Sequence, residues 1–332
     1  MHVSTRCDQT CAHCSIWKSR TALGSWGAAE RLGAIREAAA LGAAAILFTG
    51  GEPLLCDHLE ELVRTAKKLG LAVQVATNGL GLSRSASWLG GFVDEVYVSL
   101  DGPEEIHDSA RGPRMFARLR ASMTEVLALK PRPRLIARSV ISRLNAFALV
   151  QTVAAARSIG FDAISFLPID LTSEAFGGDP SSRQRLKPAA ADVIAFRGAI
   201  GTLARASELG RYVIEDEAKL SAMAGDLAER EDGTTPRCNA PEWSTVVEAD
   251  GALRPCFFQP VVKTAPGLGL EAARRSPDYA RAIAQLGSGD RICASCVCPK
   301  YVDLDSVSLR GRAARLLGRA APRLFQRGFG AA

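Results

Sequence analysis

Ala45-Ile46-Leu47-Phe48-Thr49-Gly50-Gly51-Glu52-Pro53 is the stretch on which the fold is read. Five apolar or β-favouring residues run into two glycines, a glutamate and a proline, the pattern of a buried strand that stops at a turn. The unit recurs in both directions. Residues 3–5 lead into Cys7 to Cys14, residues 72–76 into Thr77-Asn78-Gly79, and residues 95–100 into Asp101-Gly102-Pro103, with further strand-like runs at 135–141 and 163–167. Between them, at 28–41, 59–69, 115–129 and 146–159, apolar residues fall three and four apart, as on the buried face of a helix. Alternating strands and helices predict a parallel sheet. Six units are too few to close an eight-stranded barrel, so the expected fold is α/β, a partial (β/α)6 TIM-like barrel. Sites in such sheets lie at the C-terminal strand ends, where the glycine-rich and polar tips fall.

Cys7, Cys11 and Cys14 are separated by three and then two residues. Thiolates so spaced can hold three irons of a cubane iron–sulfur cluster and leave the fourth open to a small molecule. Zinc is the competing reading, with His13 as a fourth ligand, although its place between Cys11 and Cys14 makes tetrahedral ligation awkward. Downstream, Cys238 and Cys256 bracket a hairpin, 245–248 and 253–258, whose Asp250-Gly251 pair suits a tight type I′ turn. Cys293 and Cys296 add two further thiolates, so four cysteines could hold a second cluster or a structural zinc. Cys298 could replace one of that pair, and Cys56 has no partner at ligand spacing.

The chain has 332 residues, 47% of them hydrophobic, enough for a large α/β domain and a smaller appendage. No run of eighteen apolar residues and no signal-peptide pattern is present, so no transmembrane segment is expected and the compartment read is the cytoplasm. Nine cysteines in a reducing compartment are better explained as metal ligands than as disulfides. The net charge of +6 resides in the tail, where Arg310, Arg312, Arg315, Arg319, Arg323 and Arg327 follow the last acid; that end could make weak contact with an anionic surface.

The cysteine triplet, Gly50-Gly51-Glu52-Pro53 and the stretch Ser99-Leu100-Asp101-Gly102-Pro103, His107-Asp108, Arg111-Gly112 together resemble the radical SAM superfamily, over roughly residues 3–298. Cys238, then Gly251 five residues before Cys256, then Cys293 and Cys296 resemble a SPASM or twitch auxiliary domain. The resemblance implies a [4Fe-4S] cluster bound by Cys7, Cys11, Cys14 and S-adenosyl-L-methionine (SAM), and one auxiliary [4Fe-4S] cluster on Cys238, Cys256, Cys293 and Cys296. It implies that His13 contacts the adenine and that Gly50, Gly51 and Glu52 meet the methionine ammonium, the glycines admitting the ligand to the backbone. Asn78, Ser99, Asp101 and Arg111 complete the implied cofactor-binding set.

The implied activity is reductive cleavage of SAM to a 5′-deoxyadenosyl radical that abstracts hydrogen from substrate, with a reductant such as flavodoxin or ferredoxin. Modification or maturation of a peptide is the leading substrate reading. A twitch-type dehydrogenase of a small-molecule alcohol is the alternative, and a non-catalytic metal-binding scaffold a remote one. The corresponding domains are a radical SAM barrel at 1–200, a helical bridge at 201–237, a small cysteine-rich α+β auxiliary domain at 238–305 and a basic tail at 306–332. Asp170, Glu174, Tyr212, Glu215 and Glu248 are polar residues near the expected cavity that read as structural, and no acid–base residue is assigned.

Overall fold

The computed structural model describes residues 1–18, 26–227, 238–262, 268–286, 290–294 and 296. Cys298 and the basic tail lie outside the described residues. In chain order the elements are β1 (His2–Ser4), α1 (Ala28–Ala40), β2 (Ala45–Gly50), α2 (Leu59–Lys68), β3 (Ala72–Thr77), α3 (Leu82–Phe92), β4 (Glu95–Ser99), α4 (Glu104–Arg111), α5 (Met115–Ala128), β5 (Arg134–Ile141), α6 (Leu149–Ile159) and β6 (Ala163–Pro168). The six strands form one parallel sheet in sequential order, β1 to β6, which is the expected partial barrel.

Local sequence explains most of these elements. In α2, Leu59, Leu62, Val63 and Ala66 are buried at helical spacing, Glu60 and Glu61 face the positive N-terminal end, and Lys67 and Lys68 the negative C-terminal end. Gly160, at φ +102°, ends α6 in the left-handed conformation that a side chain resists. Helix α3 departs from the reading, because Leu82–Phe92 is rich in serine and glycine and has weak helix propensity. Tertiary burial holds it: Leu82, Ala86, Trp88 and Leu89 all enter the main core.

That core lies between the sheet and its helices. Phe48, Val75, Val96, Val98, Leu135 and Phe166 are fully buried there, each removing about 1.5–3 kcal/mol of apolar surface cost from water. The opposite, inner face is less covered. Tyr97, Ile136 and Ala163 form a small cluster within the barrel, beside partly exposed Leu47 and Ala76.

Two further helices, α7 (Ala190–Arg205) and α8 (Glu217–Leu227), pack on the barrel and share its core through Phe196, Leu203, Leu220, Met223 and Leu227. A division drawn at residue 200 therefore falls inside α7, and the described part of the bridge is an outer layer of the barrel. Next come α9 (Ala240–Trp243), β7 (Val246–Val247), β8 (Leu253–Arg254), α10 (Leu270–Arg274), α11 (Pro277–Ala284) and α12 (Arg291–Ala294). Their own core of Val247, Leu253, Leu270, Ala273 and Tyr279 packs against Ala34 of α1.

Strands β7 and β8 are the expected antiparallel hairpin, but the turn differs from the type I′ expectation. Glu248 pairs with Ala252, its N–H donating to the Ala252 carbonyl at 2.8 Å, and the Gly251 N–H donates to the Glu248 carbonyl at 3.0 Å. Only Gly251, at φ +86°, is left-handed, so the loop has three residues and ends in a glycine. A Cβ at Gly251 would stand 2.0 Å from the Trp26 ring, so the hairpin is seated directly on the residue that leads into α1. No helix among the described residues is long and apolar enough to cross a membrane.

Candidate active site at the strand ends

The loop carrying Cys7, Cys11 and Cys14 leaves β1 at the C-terminal mouth of the barrel and is held from several sides. The Gly51 N–H donates to the Ser4 carbonyl at 2.7 Å and the Glu52 N–H to the Arg6 carbonyl at 2.8 Å. A Cβ at Gly50 would lie 2.3 Å from the Ser4 oxygen, and one at Gly51 would lie 2.4 Å from the Arg6 oxygen. The close approach these glycines permit is thus to the chain's own backbone, immediately before Cys7. The Asn78 amide donates to Asp8 at 2.6 Å, and the Ala12 N–H to the Ala110 carbonyl at 2.9 Å.

Glu52 is fully buried and is the hub between the β2 and β3 tips. Its Oε1 accepts from the Leu54 N–H at 3.0 Å and the Thr77 hydroxyl at 2.7 Å; its Oε2 accepts from the Asn78 N–H at 2.7 Å. Burial pushes its carboxyl up to about 7 against the pull of those donors. Three of its roughly four lone-pair sites are used, leaving room on Oε2 for one more donor.

Asp101 and Arg111 form a buried pair beneath the loop. Arg111 Nε donates to Asp101 Oδ2 at 2.6 Å, while Oδ1 accepts from the Val140 N–H at 2.9 Å. Burial alone would raise the Asp101 carboxyl, but the Arg111 guanidinium, His13, His107 and the Val140 amide outweigh it and hold the carboxyl below its ordinary value. The Nη1 of Arg111 reaches Gln9 Oε1 at 3.4 Å and the Cys11 sulfur at 3.6 Å, so its charge is shared between Asp101 and the cysteine loop. His13 is buried in the same neighbourhood, and burial lowers it to about 4, keeping the imidazole neutral. Ser99 is half-buried at the end of β4, on the barrel's inner face.

The loop after β6 closes over the cysteines, a part of the site the sequence reading missed. The Ser15 N–H donates to the Phe176 carbonyl at 2.8 Å, which also lies 3.7 Å from the Cys14 sulfur. Gly177 and Gly178 are left-handed, and a Cβ on Gly177 would meet the Ile16 nitrogen at 2.8 Å. Arg183, fully buried, stiffens this loop by donating to the carbonyls of Asp170, Ser173 and Gly177. The adjacent glycines at 177 and 178 were the available signal.

The donor set suits an iron–sulfur cluster. Burial pushes the Cys7 thiol up to about 12 and raises Cys11 and Cys14, so thiolate charge there needs a compensating cation. The Gln9 Nε2 is buried without a partner among the described residues. No three His, Cys, Asp or Glu side chains among the described residues converge on a single metal ion.

Of the second cysteine group, Cys256 is half-buried; burial raises its thiol, and the charges of Cys238 and Asp290 add to the shift. Gln259, three residues on, donates to Asp290 at 3.0 Å and to the Cys293 sulfur at 3.5 Å, and the Cys296 N–H donates to the Cys293 carbonyl at 3.2 Å. Asp170, Glu215 and Glu248 are structural: they bind Arg183, Ser165 and the His2–Arg254 pair, respectively. Glu174 turns back through its carbonyl to the Gly177 N–H, and Tyr212 lies under the Arg157 guanidinium in a cleft of about 400 Å³ shared with Asp162.

Two curated relatives align with short stretches of the chain. An S-adenosylmethionine-dependent nucleotide dehydratase of Lacinutrix mariniflava is 42% identical over 77 residues, 23% of this chain and 16% of that protein. A GTP 3′,8-cyclase of Mycobacterium marinum is 36% identical over 115 residues, 32% of each. The chain thus matches less than a third of the length of either. Among solved structures, the fold is similar to Streptococcus suis SuiB bound to precursor peptide SuiA, at TM-score 0.63 and 15% identity over 92% of this chain and 72% of that one. It is also similar to anSMEcpe with bound AdoMet and Cp18Cys peptide, at TM-score 0.62 and 18% identity over 90% and 86%. Residues 1–128, which carry the three-cysteine loop, Glu52 and the Asp101–Arg111 pair, match the model of the Radical SAM superfamily.

Proposed function

We propose that this chain is a radical SAM enzyme that modifies a peptide, with a [4Fe-4S] cluster on Cys7, Cys11 and Cys14 and an auxiliary [4Fe-4S] cluster on Cys238, Cys256, Cys293 and Cys296. The observation that carries the reading is the three-thiol loop at the barrel mouth, with Cys11 buried and Cys7 and Cys14 half-buried, gripped by the tips of β2 and β3 and by α4. When bound, the cluster and SAM supply a 5′-deoxyadenosyl radical through reductive cleavage by a donor of the flavodoxin or ferredoxin class. The chain's own groups then position and shield. Gly50 and Gly51 bring the loop against β2. Glu52 keeps one acceptor position for an ammonium, and Ser99 and Arg111 offer a hydroxyl and a cation to a carboxylate or ribose. His13, neutral in its buried site, suits the face or edge of an adenine, and the loop at Phe176–Gly178 keeps water from the sulfurs.

The folds of SuiB and anSMEcpe, both solved with peptides, support the peptide reading. The nucleotide-related names of the aligned relatives favour the second reading, a small-molecule substrate. The test is anaerobic reconstitution of the full chain with iron and sulfide, followed by strong reduction with SAM. Release of 5′-deoxyadenosine by the wild type, lost together with most of the iron of the first site in Cys11→Ala, is the expected result. No 5′-deoxyadenosine, or no labile sulfide, overturns the proposal. A product two mass units lighter from a free metabolite would replace the peptide by a small alcohol.

A further inference from the structure

Tyr97, Ile136 and Ala163 meet inside the barrel. Strand alternation places Glu95 and Ser99, Arg134 and Arg138, and Ser165 on that same face. The charges there form two layers. In the deeper one every group is answered: Glu95 accepts from Gln74 at 2.8 Å, from the Tyr97 hydroxyl at 3.1 Å and from Arg134 at 3.3 Å. In the layer nearer the mouth, Arg138 stands in register between Ser99 and Ser165, its guanidinium 4.4 Å from the centre of the Tyr97 ring. Stacking on that ring holds the fork in place and costs little of its charge.

No acid closes this second layer. The neighbouring carboxylate, Glu215, is hydrogen-bonded by the Ser165 hydroxyl at 2.6 Å and the Phe166 N–H at 3.0 Å; burial raises its carboxyl although these donors and the Arg138 charge pull the other way, so Glu215 meets Arg138 through space and not in an ion pair. Arg138 makes no hydrogen bond or ion pair with its side chain among the described residues, and its Nε is buried without a partner. The residue remains half-buried, so part of the fork is accessible from the interior. A permanently charged group with five donors, pre-set in a low-dielectric interior and without a hydrogen-bond partner among the described residues, is stabilised by an anion that enters. Arg111, which touches the cysteine loop, is a separate cation, so Arg138 is left over when the cofactor's own contacts are assigned.

We propose that Arg138 anchors an anionic group of the substrate, a carboxylate or a phosphate, inside the barrel; this rests on the radical SAM reading above. Fork-to-oxyanion pairing would fix one end of the substrate and present a carbon to the mouth. The test is phenylglyoxal labelling of arginines in the reconstituted full-length wild type, with Arg138 and the exposed Arg36 quantified by peptide mapping. With SAM saturating, inorganic pyrophosphate or glutarate should slow labelling of Arg138 several-fold and leave Arg36 unchanged. The probe that protects identifies the phosphate or the carboxylate class. Equal protection by SAM alone would give the guanidinium to the cofactor's carboxylate, and protection by nothing would leave it without a ligand; either overturns the assignment. Release of 5′-deoxyadenosine is scored on the same sample. Its presence with Arg138 unprotected removes this inference alone, whereas its absence removes the reading beneath it as well.

Discussion

Glu52 shows how one side chain can serve both the fold and the site. Both of its oxygens face backbone donors, Leu54 on one side and Asn78 on the other. In Glu52→Gln the new NH2 must oppose an N–H whichever way the amide turns. The expected cost is about 2 kcal/mol, read as a lower denaturation midpoint at pH 6. The pH dependence should change too. A carboxyl raised from 4.5 to about 7 by folding weakens the fold as pH climbs through that window, because the buried charged form is the costly one. The wild type should lose stability between pH 5 and 7 relative to the variant, and parallel curves would contradict this. The sequence marked Glu52 for a ligand's ammonium; it could not show that three neighbours from two strand tips already claim the carboxylate, since those distances exist only once β2 and β3 pair. Arg138 was missed for a similar reason, an arginine within an apolar strand being an unremarkable pattern until Glu215 is seen to be engaged elsewhere.

At the level of elements, β2, β3 and β4 were legible because each is a short, largely apolar run closed by glycine, asparagine or aspartate. Helix α3 was not, because Trp88 and Leu89 hold it by burial against local preference. The loop after β6 was not read as part of the site, yet it covers the cysteines. Gly177→Ala should push this loop off Ile16, both by the 2.8 Å approach and by its left-handed backbone, and so lower the iron retained after reconstitution and gel filtration while the melting temperature of the barrel changes little. Retention equal to wild type would show that the loop does not seal the site. The hairpin offers a second check. Glu248 joins His2 of β1 to Arg254 of β8, and although burial works against it, these partners pull its carboxyl down to about 2. A depressed carboxylate stabilises above its unfolded value of 4.5 and loses that contribution as pH falls toward 2, on the order of 2 kcal/mol for a group still partly solvated. Hydrogen exchange at Val246, Val247 and Leu253 should accelerate over this acid range in the wild type, and Glu248→Gln should show the faster exchange already at pH 6.

Across the whole molecule, α7 and α8 join the barrel through α6 and β6, and the hairpin unit joins it through α1 and β1. Residue 200 lies within α7, whose periodicity gives no hint of a boundary because α7 and α8 complete the same core. Chelating iron from the reconstituted protein should therefore produce a graded response: faster hydrogen exchange at residues 7–18 and 176–178, with little change in β3, β4 and β5. Uniform loosening of all six strands would show instead that the metal supports the entire sheet.

The first and last strands of this sheet never pair, which leaves a slit along one side of the molecule. Across its upper end run the Ser15 amide, the Phe176 carbonyl and the Gly177 backbone against Ile16. Those few contacts act as a clasp on an otherwise unfastened cylinder, and the clasp directly follows Cys14 in the chain. Any displacement of the three-cysteine loop is therefore passed directly to the loop after β6, across the gap between the two ends of the sheet.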